Sequence, residues 1–396
     1  RPDFADLPEN VQQLYLLSLL ILRTQIDNGG AIIAANDSDI ASAVRDTYSY
    51  MWPRDGALVA QALEVAGYLE IGRPFYVFCQ KVLTKEGYLL HKYNPDGTLA
   101  SSWHPWVRDG QKDLPIQEDE TALVLWALWH RFQRWKNVEY VKPLYRPLII
   151  RAADFLAAYR DPETGLPLPS YDLWEERRGV LAFTCAAVWA GLTAASRFAL
   201  AFGETALSEH YVQAATAIKA GAESAIYRPE LKRFARMVNR KPDGSWDVDA
   251  TLDSSLFGLW YFGMFAPDDP RIVATMEAVR GRLWVKTSVG GMARYEDDYY
   301  HQQSTDIANV PGNPWFICTL WLAQWIIATA KTRTDLKPSV EILEWCVQHG
   351  LPSGVLAEQI HPYTHAPLSV SPLTWSHATF VAAVQEYLAK WRLLTA

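Results

Sequence analysis

Residues 117–159, QEDETALVLWALWHRFQRWKNVEYVKPLYRPLIIRAADFLAAY, hold two apolar-periodic segments, 117–135 and 138–159, separated only by Lys136-Asn137. Apolar side chains recurring every three to four positions mark helices, and so short a link makes the pair antiparallel. The same unit recurs along the chain. Further helices are predicted at 7–27, 55–67, 70–84, 180–202, 205–227, 253–264, 268–283, 314–332, 336–349 and 373–392, with almost no alternating strand pattern. Short links fall near 68–69, 136–137, 203–204, 265–267 and 333–335; long ones span 28–54, 85–116, 160–179, 228–252, 284–313 and 350–372. If helices alternate in direction, the long connections all emerge at one end, where loops of such length are usually functional. The expected fold is therefore all-α: an (α/α)6 barrel of twelve helices, even-numbered ones inside, forming a single domain over 1–396. Its pocket lies at the end carrying the six long loops.

Local signals refine this. Asn313-Pro314 and Ser371-Pro372 read as a capping side chain before a proline at the first helical position. Asn94-Pro95-Asp96-Gly97 and Lys241-Pro242-Asp243-Gly244 are turn sequences that each fold a small hairpin over the barrel rim.

Composition narrows the function. Lys+Arg 37 against Asp+Glu 44 gives a net charge of −7 without basic runs, which argues against nucleic acid or an anionic membrane as partner. The apolar run Leu14 to Leu22 is too short to span a bilayer and lacks the features of a secretory signal. The chain opens on Arg1, as a processed or excised chain does. Cys79, Cys185, Cys318 and Cys346 sit in apolar-periodic segments without ligand spacing and read as buried free thiols, which favours a cytoplasmic setting. Tryptophan is abundant, at 17 residues, and its flat apolar face with an N–H donor suits a sugar as well as a core. About half of these, such as Trp126, Trp260 and Trp321, fall inside predicted helices. The rest, such as Trp52, Trp103, Trp174, Trp315 and Trp375, lie in or beside long loops.

Chemistry-bearing residues concentrate in those loops. Arg54-Asp55 offers a donor fork and an acceptor at a helix start. Glu175-Glu176 follows Tyr171, Leu173 and Trp174, and a carboxyl group against aromatic surface is held protonated towards neutrality, as a general acid requires. Glu358 is a single carboxylate in an apolar stretch of another loop. Acids at 118–120 occupy a first helical turn, where the macrodipole favours them regardless of function. No nucleophile elbow, phosphate-binding glycine loop or H-E-x-x-H is present, and the nine His lack metal-ligand spacing.

Four motifs in order resemble glycoside hydrolase family 15, that of glucoamylases, glucodextranases and some trehalases, over nearly the whole chain. They are Tyr48-x-Tyr50-x-Trp52-x-Arg54-Asp55, Tyr171-Asp172-Leu173-Trp174-Glu175-Glu176, Gly312-Asn313-Pro314-Trp315 and Leu373-Thr374-Trp375-Ser376. The resemblance implies an inverting, exo-acting glycosidase with Glu175 as general acid and Glu358 as general base. Arg54 and Asp55 would hold the terminal sugar, with Tyr48, Trp52, Trp174, Trp315 and Trp375 lining the pocket and Arg294 at the junction of the first two sugar sites. Trp103, Gln117, Asp119 and Glu176 complete the expected substrate-binding set. The expected partner is an α-glucan or gluco-oligosaccharide and no cofactor is expected, with a structural calcium left open. The two carboxyl groups are expected to be held in opposite protonation states by their surroundings. Two readings of other classes compete: a non-catalytic glucan-binding protein on the same barrel, against which both carboxylates argue, and an all-α terpenoid cyclase, which lacks its D-D-x-x-D run.

Overall fold

The computed structural model describes residues 3–36, 48–108 and 110–394. Twelve helical elements follow one another: α1 (Glu9–Thr24), α2 (Pro53–Val65), α3 (Leu69–Val82), α4 (Glu118–Trp135), α5 (Val138–Leu144, continued to Ala158), α6 (Ala182–Ala201), α7 (Thr205–Gly221), α8 (Ser254–Phe257 continued by Gly258–Tyr261), α9 (Pro270–Leu283), α10 (Phe316–Thr329), α11 (Lys337–His349) and α12 (Thr374–Leu393). The even-numbered helices contact one another in a closed ring, α2–α4–α6–α8–α10–α12, with α12 returning to α2. Outer helices pack on this ring: α3 on α2, α7 on α6, α11 on α10 and α1 on α12. The chain is an (α/α)6 barrel.

Inner and outer helices differ in composition as their positions require. Every residue of α10 from Phe316 to Trp325 is buried, whereas α3 buries one stripe, Gly72, Phe75, Tyr76, Phe78 and Cys79. Helix α6 is long and apolar enough to cross a membrane, a property the sequence reading missed because Arg197 interrupts it. Its surroundings explain the composition: it packs against α4, α7 and α8, and a helix enclosed on all sides is apolar all round. The four cysteines are buried and free.

Several expectations are corrected. Helix α5 is not uniform: Tyr145–Ile150 forms a π turn, beside Pro143 and Pro147, which cannot donate to the helical ladder. The segment expected as helix 253–264 is a short 3-10 turn and one α turn. Helices α10 and α12 begin at Phe316 and Thr374, without a side-chain cap, so neither Pro314 nor Pro372 stands at a first helical position. The Asn313 amide instead donates to the His301 carbonyl and to Gln359 Oε1, both at 2.9 Å.

Strands are also present. Ser170–Tyr171, Arg178–Leu181, Met237–Arg240 and Trp246–Asp249 form a four-stranded antiparallel sheet in that order. The last two strands are the hairpin expected around Lys241-Pro242-Asp243-Gly244. The strand Arg178–Leu181 straddles the expected boundary between loop 160–179 and helix 180–202, and the helix begins at Ala182 instead. Gly179 allows the pairing, since a Cβ there would stand 2.4 Å from Met237 Sδ. The turn at 94–97 is closed by Asn94 N–H to the Thr98 carbonyl at 2.9 Å, and Tyr93 bridges both Met51 and Leu99.

Candidate active site

A cavity of about 430 Å3 opens among the long connections. Two of its lining residues, Trp174 and Trp375, rest on Trp321 of α10 at 5.9 and 5.7 Å, which itself stacks on Phe257 at 4.4 Å. Tyr48, Trp52, Arg54, Asp55, Trp103, Trp174, Glu175, Glu176, Arg294, Trp315, Glu358 and Trp375 all line the cavity, as do Tyr299 and Tyr300. The two tyrosines were not singled out, although an aromatic pair in the long loop 284–313 was the available signal. Gln117 and Asp119 do not line the cavity. Both are fully buried behind Arg54, because the first turn of α4 lies inside the ring. The loop 228–252 contributes no lining residue; it supports its neighbour through the sheet.

Glu175 sits on a turn built by Asp172. The Asp172 carbonyl accepts the Glu175 N–H at 2.9 Å, and its Oδ1 accepts those of Glu176 and Arg177 at 2.7 and 3.0 Å. This turn holds Glu175 at φ 65°, a conformation that costs a non-glycine residue roughly 1 kcal/mol or more and marks sites where position matters. Glu175 Oε1 accepts the indole N–H of Trp52 at 2.5 Å, while Oε2 is enclosed without a protein partner. Burial raises the Glu175 pKa to about 7, against the pull of Arg54, Lys92 and the Trp52 hydrogen bond. Lys92 is itself buried, with its ammonium 3.3 Å from the Trp103 ring centre and 4.6 Å from that of Tyr50.

Glu358 comes from the opposite part of the chain, beside the two-residue strand Gln359–Ile360. Gln359 bridges to Trp315, and the Glu358 N–H donates to the Val370 carbonyl at 3.0 Å. Burial raises this carboxyl to about 7 as well, partly offset by the Gln359 amide, which donates to Oε2 at 3.0 Å. Both are raised alike, because desolvation dominates at each. They differ in partners: Glu175 keeps one oxygen unpartnered.

Two buried arginines organise the walls. Arg54 meets Asp55 and Glu120 at 3.1 Å each and Asp119 at 3.1 Å, and donates to Gln117 Oε1 at 2.5 Å. Its guanidinium is held charged by these acids, although burial opposes it. Arg294 makes a two-point contact with Asp298, at 2.7 Å twice, and reaches Glu176 at 2.9 Å. Trp174, Tyr300 and Trp315 surround it at 4.8–5.1 Å. Trp174 in turn donates to Asp253, which pairs with Arg236 at 3.5 Å. Asp253 and Asp298 are not among the expected site residues; their burial beside Trp174 and Arg294 gives them their place. Tyr48 and Tyr300 share a hydroxyl contact of 2.6 Å. Among the described residues, one group of metal-donor atoms converges: His91, His104 and Glu175, within 4.8 Å of one another.

Known proteins share this plan. A family model described as glycosyl hydrolases family 15 matches residues 9–349. An uncharacterized glycosyl hydrolase of Methanocaldococcus jannaschii is 30% identical over 381 residues, covering 94% of this chain and 55% of that protein. A glucoamylase of Clostridium sp. is 28% identical over 396 residues, covering 93% of this chain and 52% of that protein. The chain thus spans about half the length of these curated relatives. Among solved structures, a bacterial glucoamylase complexed with acarbose superimposes with a TM-score of 0.72 at 22% identity, over 97% of this chain and 57% of that one. Barrel, cavity and family model agree: the chain belongs to glycosyl hydrolases family 15.

Proposed function

We propose that the chain removes glucose from the non-reducing ends of α-glucans or gluco-oligosaccharides with inversion, releasing β-glucose. The observation that carries this reading is one cavity lined by two carboxyl groups from different loops, Glu175 and Glu358, both raised to about 7. The acarbose bound by the bacterial glucoamylase supports an oligosaccharide ligand. Protonated Glu175 gives its proton from Oε2 to the glycosidic oxygen as the bond breaks, while the Trp52 indole fixes Oε1. Ionised Glu358 takes a proton from water attacking the opposite face of the sugar. Such a pair requires a carboxyl separation of roughly 6.5–9.5 Å. Arg54 Nε and Trp315 Nε1, enclosed donors without a protein partner, suit sugar hydroxyls. Acid, base and water suffice, so no cofactor enters. The test is anomer detection by NMR during hydrolysis of maltose, isomaltose and trehalose, together with Glu175→Gln and Glu358→Gln. The β-anomer and turnover reduced at least 1,000-fold in both folded variants are expected. Release of the α-anomer, or near-normal turnover in either variant, refutes the mechanism.

A further inference from the structure

Loop 85–116 carries two imidazoles for which the proposed reaction has no use. His91 is 2% exposed and is hydrogen-bonded to the Pro115 carbonyl. Its Nε2 has no protein partner, so Nδ1 carries the proton and Nε2 presents its lone pair. His104, 3% exposed, stacks on Tyr171 at 3.6 Å and 4°, with its ring centre 4.5 Å from that of His91. One nitrogen of each and one Glu175 oxygen lie within 4.8 Å of one another. Glu175 Oε2 is likewise enclosed without a partner.

We infer that His91, His104 and Glu175 form a binding site for a divalent transition metal, zinc foremost, whose occupancy inhibits the chain by capturing the Glu175 carboxylate. Two imidazoles and a carboxylate are a zinc donor set, and a backbone carbonyl fixing the far nitrogen of one imidazole is the usual support for such a ligand. Zinc ligands at ~2.1 Å stand about 3.4 Å apart, so donor atoms now within 4.8 Å of one another close by up to about 1.4 Å on the ion. The Gln117 amide, 3.3 Å from His104 Nε2, must let go. The nearby cations Arg54 and Lys92 oppose a further positive charge and weaken the site relative to a structural zinc site. Inhibition rests on Glu175 serving as the acid; metal binding does not.

The test uses the full chain freed of metal with EDTA. Cobalt(II) is expected to give saturating visible absorption at one equivalent, and zinc to lower kcat at least tenfold with recovery on chelation. His91→Leu should keep its zinc-free activity and weaken both responses at least 30-fold. Copper(II) electron paramagnetic resonance on the unaltered protein should show two coupled nitrogens, a readout independent of the variant's folding. Equal zinc response in parent and His91→Leu, or fewer than two coupled nitrogens, overturns the site. Cobalt bound through His91 in a chain that hydrolyses no glucoside would uphold the site while sinking the proposed reaction.

Discussion

Trp52→Phe isolates a single hydrogen bond at the acid. The substitution keeps most of the ring but deletes the N–H that reaches Glu175 Oε1 at 2.5 Å. A hydrogen bond to an ionised group contributes roughly 1.5–3 kcal/mol. At about 1.4 kcal/mol per pKa unit, its loss raises Glu175 above its present value of about 7 by roughly one to two units. The acid works protonated, so the falling limb of kcat/KM against pH moves up by that amount. The rising limb, set by Glu358, stays. With both groups near 7, about a quarter of the molecules at pH 7 hold Glu175 protonated and Glu358 ionised. Moving Glu175 to about 8 lifts that fraction to roughly 0.6 midway between the two values. Initial rates on maltose from about pH 4.5 to 9.5 read the shift directly. A falling limb that stays in place or moves down, in a folded variant, refutes the assignment of Glu175.

Further outcomes follow from the same contacts. Glu358 is raised on folding, so its protonation contributes stability that is fully present below the unfolded value near 4.5 and is lost as pH rises through about 7. Glu358→Gln is therefore expected to stabilise the fold by about 3 kcal/mol, or about 4 °C in Tm, at pH 8, and by almost nothing near pH 4.5; thermal melts at the two pH values check the difference. Arg294→Met leaves Asp298 buried without its cation, while half-buried Glu176 keeps Arg177, and denaturant unfolding should show a loss of about 3 kcal/mol.

The barrel was legible because each hairpin repeats one periodicity and because link lengths alternate, which is topological information. The pocket was legible where residue types are uncommon in loops: Arg54 beside Asp55, Trp174 before Glu175, Glu358 alone among apolar residues. The supporting layer was not. Asp172, though part of a motif, acts through backbone geometry, and Asp119, expected to touch substrate, acts through burial behind Arg54; neither role can be read from the residue's place in the chain. The two-residue strand Ser170–Tyr171 is too short for alternation to register. His91 and His104 are thirteen positions apart in a loop and meet only through its path.

The ring closes through α12, which docks between α10 and α2 and brings Trp375 to the cavity. During synthesis the other inner helices emerge first, and the seam between α2 and α10 stays open until residues 374–393 leave the ribosome. Until then the flank of α2 carrying Leu58 and Gln61, which meets Trp375, Ala378 and Ala382 of α12 around a small cavity, faces water. Docking joins segments more than 300 positions apart in sequence, a contact that forms late and slowly. Nascent chains of this barrel are thus exposed to chaperones and to aggregation along one specific groove, and the Trp375 side of the cavity is completed only when α12 docks.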